Sequence, residues 1–331
     1  MGALRQRSAL VGLNWRLPDA DLVACCREVG VTHIFTSADF AERAQVVAGD
    51  SIRVEVIDQT TATPWSDRDP VAPREPHAED VAMVFFTSGS TGAPKAVPYD
   101  RLGVEIGATT PVVHGFDPES RLLIVPPVFH LAGAYWVQYG LLYGSRQVYV
   151  ADASPAGIVR ALSEQKITHA VFVPTLIRIL IDQLKAEPAD ISSFRHLAYG
   201  ASPITVAMLR EAMEVFDSEF CQVFGMTEAG GVVTYLAPED HILEGEHSER
   251  LGSAGRCTVG VEAQVRDMLT GALVGPGESG SSGSAPPSWH TSTSTGRNSP
   301  AASSSTGGST PVTSGGWTPT ATSTSKAAPT T

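Results

Sequence analysis

The sequence predicts an α/β fold, with largely parallel sheets flanked by helices and a disordered C-terminal tail. Three observations lead there. From Asp19 to about Leu273, short apolar runs alternate with segments of helical periodicity, the pattern of parallel strands covered on both faces. One such run, Val81 to Phe86, is followed at once by a loop of glycine, hydroxyl residues and a lysine. Ligands of such folds bind beyond the carboxyl ends of the strands. After Glu278 the composition changes abruptly to Ser, Thr, Gly, Pro and Ala, which cannot bury a core.

The elements follow in order. Asp21 to Val29 reads as a helix stopped by Gly30. Val31 to Thr36 and Ile52 to Ile57 read as strands, and Val81 to Phe86 as a buried one. Leu122 to Val125 and Gln147 to Val150 are further strands. Pro155 to Gln165 is a helix, Ala170 to Val173 a strand and Leu176 to Leu184 a helix. His196 to Tyr199 is a strand, and Ile204 to Phe216 a helix.

The loop Thr87-Ser88-Gly89-Ser90-Thr91-Gly92-Ala93-Pro94-Lys95 packs its donors into a single turn. Glycines let successive N–H groups point inward as an anion-binding nest. The hydroxyls of Thr87, Ser88, Ser90 and Thr91 add donors, and Lys95 supplies a point charge. This chemistry suits a polyphosphate. The loop is not a P-loop, because Pro94 precedes Lys95, and it lacks the third glycine of a dinucleotide turn.

Thr87 to Lys95 resembles the phosphate-binding signature of the adenylate-forming (AMP-binding) enzymes, which include acyl-CoA synthetases, luciferases and peptide-synthetase adenylation domains. The family usually has glycine after the lysine, where this chain has Ala96. Four further stretches match in the family's order. Leu13-Asn14-Trp15-Arg16-Leu17 is similar to a segment well inside the family's N-terminal domain, which implies that the family's first portion is missing here. Pro126 to Gly133 resembles the strand-end motif whose His or aromatic residue borders the acyl tunnel and the adenylate, a role that falls on His130. Tyr199-Gly200-Ala201-Ser202-Pro203 is on its own only a strand-to-helix turn. By the resemblance, Gly200, Ala201 and Ser202 lie along the adenine base.

Gln222-Val223-Phe224-Gly225-Met226-Thr227-Glu228 completes the series. Phe224 stands where the family usually has Tyr, so a ring face remains for adenine and the phenol hydroxyl is lost. Gly225 and Met226 continue the nucleotide-binding segment. Thr227 is similar to the residue that donates to the α-phosphate, and Glu228 to the carboxylate that holds Mg²⁺. The resemblance therefore implies Lys95, Thr227 and His130 as catalytic groups, with ATP, Mg²⁺ and CoA as cofactors. The implied substrate is a carboxylic acid, most closely a fatty acid, taken to an acyl-adenylate and then to a CoA thioester. Residues 1–278 are expected to form an incomplete AMP-binding domain. Two other readings stay open: a non-catalytic remnant that at most binds ATP or acyl-adenylate, and a peptide-synthetase adenylation fragment.

Residues 279–331 invite a second reading. The family continues with an Asp that grips the ribose, then a hinge, then a small domain with a catalytic lysine, and the visible residues contain none of these. Read one base earlier, each hidden codon takes the third base of one visible codon and the first two of the next. Ser305 to Thr313 then permits Asp-Gly-Trp-Leu-His-Thr-Gly-Asp, and Ser314 to Thr331 permits Val-Gly-Trp-Met-Asp-Ala-Asp-Gly-Tyr-Leu-Tyr-Ile-Glu-Gly-Arg-Thr-Asp-Asp. Trp317 removes the wobble at one step and forces Asp after Met. Ser292 to Asn298 permits Glu-Tyr-Leu-Asn-Arg-Pro-Glu. These phrases closely resemble the missing family motifs. The family often continues Asp-Asp-Met-Ile, which places a stop codon directly after Thr331 in the visible frame. The expectation is a one-base deletion near the codons for Glu278 and Ser279. The rival is a Ser/Thr-rich linker or glycosylated stalk.

Composition narrows the partners. The chain has 331 residues and a formal net charge of -12, with no basic run, which argues against a nucleic-acid partner. The longest apolar stretch, Ala170 to Ile181, is interrupted by Pro174, Thr175 and Arg178, so no transmembrane segment is expected. The N-terminus lacks an apolar signal core. The cysteines Cys25, Cys26, Cys221 and Cys257 form no CxxC pair, so no zinc site is expected, and a reducing, cytoplasmic setting fits best.

Overall fold

The computed structural model describes residues 6–57, 71–88, 93–101, 103–104, 113–150, 152–259, 261–267, 270, 272–275 and 288–293. The chain divides into two compact units, residues 1–107 with 127–135, and residues 108–126 with 136–331.

The first unit holds β1 (Leu10–Val11), α1 (Asp19–Glu28), β2 (His33–Thr36), α2 (Ala41–Ala48), β3 (Arg53–Val56), β4 (Val81–Ser88) and β5 (Pro94–Asp100). Helix α1 carries Asp19 and Asp21 in its first turn and Arg27 in its last, which complements the helix dipole. Its buried residues Leu22, Cys25 and Cys26 recur at helical spacing. Leu22 and Cys26 pack with Ile34, Ala44, Val47 and Ala48 into one cluster. Strands β2 and β3 pair in parallel, Ile34 beside Val54. A separate three-stranded sheet has the order β1-β4-β5, with β1 parallel and β5 antiparallel to β4.

The division between the units falls within helix α3 (Leu131–Leu142), after Tyr135. The second unit also holds β6 (Arg121–Ile124), β7 (Arg146–Tyr149), α4 (Pro155–Glu164), β8 (His169–Phe172), α5 (Pro174–Ala186), β9 (His196–Gly200), α6 (Val206–Phe216), β10 (Glu219–Met226), β11 (Gly231–Leu236), β12 (Arg256–Cys257), β13 (Val261–Arg266) and β14 (Ser288–Thr293). Its main sheet has seven strands in the order β12-β11-β10-β9-β8-β6-β7. From β10 to β7 every pair is parallel. The sheet is mixed rather than parallel throughout, because β11 and β12 run antiparallel at one edge.

Every residue of β8 and β9 is buried, as expected of strands covered on both faces. Helices α4, α5 and α6 supply Ile158, Leu162, Ile177, Leu180, Leu209 and Phe216 to the cluster that also holds Phe172, Leu197 and Tyr199. Burial of each such side chain stabilises by about 1.5–3 kcal/mol. Helix α4 starts with Ser154 accepting from the Gly157 N–H, and Pro155 occupies its first turn. Helix α6 starts with Thr205 accepting from the Met208 N–H. Among the described residues, no helix is long and apolar enough to cross a membrane.

Within residues 279–331, the structure describes one short strand. Strand β14 pairs antiparallel with β13, Val261 opposite Thr293. Thr and Trp are residue types favoured in strands, and this stretch holds Trp289, Thr291 and Thr293. Residues 294–331 lie outside the described residues.

The carboxyl end of β9 is held from several sides. Gly200 sits beside Val223 in the parallel ladder, and a Cβ on Gly200 would lie 2.1 Å from the Val223 carbonyl oxygen. The next residue, Ala201, has φ +66°, a left-handed conformation costly for a residue with a Cβ. Just before them, the buried Tyr199 hydroxyl donates to His241 Nε2 at 3.1 Å, and His241 Nδ1–H donates to the Ala237 carbonyl at 2.8 Å. Gly200→Ala should lower the unfolding free energy by about 1–3 kcal/mol, the usual cost of overpacking. Ala201→Gly should raise it by up to about 1 kcal/mol, since relief of roughly 1–2 kcal/mol of left-handed strain outweighs glycine's entropic cost. Urea denaturation of the two variants checks both signs.

Burial holds the His241 imidazole below its ordinary value, against the opposing pull of the Ala237 carbonyl and of Asp240 and Glu239. The unfolded chain takes up this proton near pH 6.5, and the native state only at lower pH. The His241 contribution is therefore complete above about pH 6.5 and is lost as pH falls below it. His241→Gln should accordingly lose less stability than the wild type between about pH 7.5 and about pH 5.5, by urea unfolding at each pH.

Candidate functional site

In the first unit, the lysine-bearing loop is the tip of the β4–β5 hairpin. Thr87 pairs with Lys95 and Ser88 with Pro94. Lys95 is therefore a strand residue, not part of a single turn with the glycines. Pro94 explains this, because proline is tolerated as the first residue of an edge strand, and β5 is an edge of its sheet. Ser88 and Lys95 are exposed and Thr87 is half-buried. Gly89, Ser90, Thr91 and Gly92 lie outside the described residues.

The same unit brings together two stretches distant in sequence. Phe129 and His130 precede α3, their rings 4.6 Å apart. The Arg16 guanidinium lies 5.1 Å from the Trp15 ring and 6.0 Å from the Phe129 ring. Gly12 packs on the Phe129 backbone, where a Cβ would come within 3.1 Å of its Cα. Leu13 to Leu17 thus lies against the strand-end motif. Partial burial of the ring and the nearby Arg16 charge hold His130 below its ordinary value. Its imidazole is neutral at pH 7 and can offer a hydrogen bond at a site edge without adding charge.

In the second unit, the ladder between β9 and β10 ends at Gly200 beside Val223. Phe224, Gly225 and Met226 extend past that point, paired with β11 through an irregularity between Phe224 and Gly225. A Cβ on Gly225 would lie 1.8 Å from the Gly231 carbonyl oxygen, so β11 can close on β10 only because residue 225 is glycine. Ala201 and Ser202 are exposed in the turn after β9, and Met226 is exposed beyond β10. Phe224 and Thr227 are half-buried. Thr227 to Ala229 form a short 3₁₀ turn with the exposed Glu228 in it, closed by Gly230 at φ 87°. Gly200, Ala201, Ser202, Phe224, Gly225, Met226, Thr227 and Glu228 therefore gather at the carboxyl ends of two adjacent parallel strands, the usual ligand position in such sheets. An exposed carboxylate in this place has the oxygen-donor chemistry that a hard divalent cation takes.

Sequence reading missed the support beneath this edge. In the sequence, Tyr199 stands as the end of a strand and the start of a turn, and His241 stands in no motif. They meet across 42 positions, and neither stands in a local pattern that would have paired them. Beside them, Asp240 accepts from Arg250 at 2.7 Å and from Arg256 at 3.0 Å, which ties the segment after β11 to β12.

The sequence model of the AMP-binding enzyme family matches residues 1–281. The chain is 27% identical over 275 residues to a fatty acid–[acyl-carrier-protein] ligase, ScoC, of Streptomyces coeruleorubidus, covering 80% of this chain and 52% of that one. It is 29% identical over 219 residues to a medium/long-chain-fatty-acid–CoA ligase, FadD8, of Mycobacterium tuberculosis, covering 66% and 37%. The chain thus spans about half the length, or less, of these curated relatives. The fold is similar to that of o-succinylbenzoate coenzyme A synthetase from Bacillus subtilis, solved with ATP and magnesium ion. The TM-score is 0.67 at 23% identity, over 82% of this chain and 54% of that one. It is also similar to the amide bond synthetase McbA from Marinactinospora thermotolerans, with TM-score 0.71 at 23% identity, over 83% and 56%. With residues 1–281 matched and the motif residues gathered at the strand ends, the chain belongs to the AMP-binding enzyme family.

Proposed function

We propose that this chain carries the ATP-binding part of an acid–thiol ligase whose substrate is a fatty acid. The supporting observation is the gathering of Gly200–Ser202 and Phe224–Glu228 at one sheet edge, in a chain that also presents Thr87 and Lys95 as ladder partners. The two relatives named for fatty acids support that substrate class. They differ in thiol acceptor, and CoA is proposed here, with a carrier protein as the alternative. The free state of Cys25, Cys26, Cys221 and Cys257 supports a reducing, cytoplasmic setting.

In the proposed reaction, a carboxylate oxygen of the acid attacks the α-phosphorus of ATP. The bond to the bridging oxygen of the β-phosphate breaks, and pyrophosphate leaves with that electron pair. A thiolate then attacks the acyl carbonyl and expels AMP. The chain's part is alignment and charge stabilisation. Lys95 and the hydroxyls of Thr87 and Ser88 take the outer phosphates, Thr227 donates to the α-phosphate, and the Phe224 ring face and the Gly200–Ser202 turn hold the adenine. His130, kept neutral, borders the acyl group. Glu228 would hold Mg²⁺, which supplies charge neutralisation on the phosphates when bound.

We further propose that residues 279–331 are translated out of frame and that this copy turns over poorly, because the ribose-gripping Asp phrase lies in the hidden frame. A remnant that binds nucleotide without chemistry is the second reading, favoured by the same tail. DNA sequence across the codons for Glu278 and Ser279 tests the frame. The expected result is an uninterrupted Asp-Gly-Trp-Leu-His-Thr-Gly-Asp phrase one base earlier, and an alternative frame without it sinks the proposal. Equilibrium dialysis of the purified chain should detect Mg-ATP binding, weakened about tenfold or more by Lys95→Ala, the usual effect of losing a charge-assisted contact. Acid-dependent pyrophosphate exchange should be slight or absent. Brisk exchange abolished by Lys95→Ala would overturn the claim of impairment while leaving the family reaction standing.

A further inference from the structure

Three metal-ligating side chains meet in the interior of the second unit, and none belongs to the nucleotide motifs. His114 lies in the turn before β6, His196 opens β9 and Cys221 lies in β10. They are 3%, 2% and 0% exposed. One ligand atom from each lies within 4.8 Å of the others. His114 Nδ1 and His196 Nε2 face each other at 3.0 Å. Phe116 and Trp136 pack on the His114 ring with centroids at 5.3 and 5.2 Å, and the buried His169 ring lies 5.6 Å from that of His196.

As a hydrogen-bonded pair of imidazoles, this arrangement is incomplete. It leaves His196 Nδ1 buried with no hydrogen-bond partner among the described residues, a loss that ordinarily costs about 1–3 kcal/mol. The Glu219 carboxylate lies 3.8 Å from that same nitrogen. Metal-bound histidines characteristically turn their second ring N–H to a carboxylate, and Glu219 stands on that side.

We propose that His114, His196 and Cys221 bind one zinc-class transition-metal ion, with Glu219 orienting His196 from behind. Imidazole and thiolate donors select borderline and soft metals over Mg²⁺, so this site is distinct in place and chemistry from the Glu228 carboxylate. Sequence spacing offers no reason to expect zinc; only the fold brings these groups together. The reaction balances as a divalent ion plus two neutral imidazoles and a thiol, giving the bound ion, a thiolate ligand and one released proton. Donors of one tetrahedral zinc ion lie roughly 3.3–3.8 Å apart, from bond lengths of about 2.0–2.3 Å, so loading spreads the two imidazole nitrogens slightly from 3.0 Å and brings the Cys221 sulfur within the same range. Because the site is enclosed, the ion enters while the chain folds.

The full chain should therefore be produced in medium supplemented with zinc or, separately, with cobalt as an optical reporter, and desalted. One equivalent of zinc per chain is expected by elemental analysis, with a raised melting temperature relative to chelator-treated protein. The cobalt form should show thiolate-to-metal charge-transfer absorption. Cys221→Ala should lose that band and the stoichiometric metal, while Cys257→Ser, at an exposed thiol, should keep both. Absence of metal in the wild type, or bound cobalt without the thiolate band, overturns the proposal even if the Cys221 variant fails to fold. Persistence of the band in Cys221→Ala overturns it as well.

Discussion

The register of β9 against β10 is the constraint on which the motif-bearing end of the second unit's sheet depends. Glu219 beside His196 at one end and Val223 beside Gly200 at the other fix five successive pairs. A shift of one position would turn every side chain of β10 to the opposite face. Tyr199 would then leave its place beside Gln222, and Phe224 would no longer follow the end of β9. Gly200 keeps the close spacing possible, and the buried helices behind β8 and β9 hold the ladder in place. The turn residues Ala201 and Ser202 and the overhanging Phe224 to Met226 derive their positions from that one ladder. The same ladder brings His196 and Cys221 together at the far end.

The legible part of the fold was the part buried on both faces. Strands β6, β8 and β9 are apolar runs bounded by polar or glycine residues, and helices α4, α5 and α6 carry apolar stripes, with a capping side chain in front of α4 and α6 and Pro174 opening α5. Helix α3 was not read, because Leu131 to Leu142 is apolar on all sides and interrupted by Gly133 and Gly140, which erases the stripe. Strand β12 is a two-residue edge strand, too short to show alternation, and β11 follows β10 so closely, after the turn at Thr227 to Gly230, that the sequence does not mark where one ends and the next begins. The hairpin form of the lysine loop was hidden for a related reason: a strand that begins with proline does not look like one.

The candidate site was legible as residue types and hidden as connections. Thr227 and Glu228 could be named from a motif, but their place past the end of a parallel ladder could not. The Tyr199–His241 hydrogen bond and the His114–His196 contact join residues 42 and 82 positions apart. Such pairs carry no local periodicity, since a buried histidine reads the same in sequence whether it supports a strand or binds a ligand. Cysteine spacing likewise excludes only motifs that are contiguous in sequence; a site assembled from a loop and two strands escapes it.

Thr87 and Lys95 are cross-strand partners in the β4–β5 ladder. Antiparallel partners have Cα atoms about 4.5–5.5 Å apart, so the spacing of the hydroxyl and the ammonium at their roots is set by sheet geometry. A slip of one position would carry the lysine to the opposite face of the sheet.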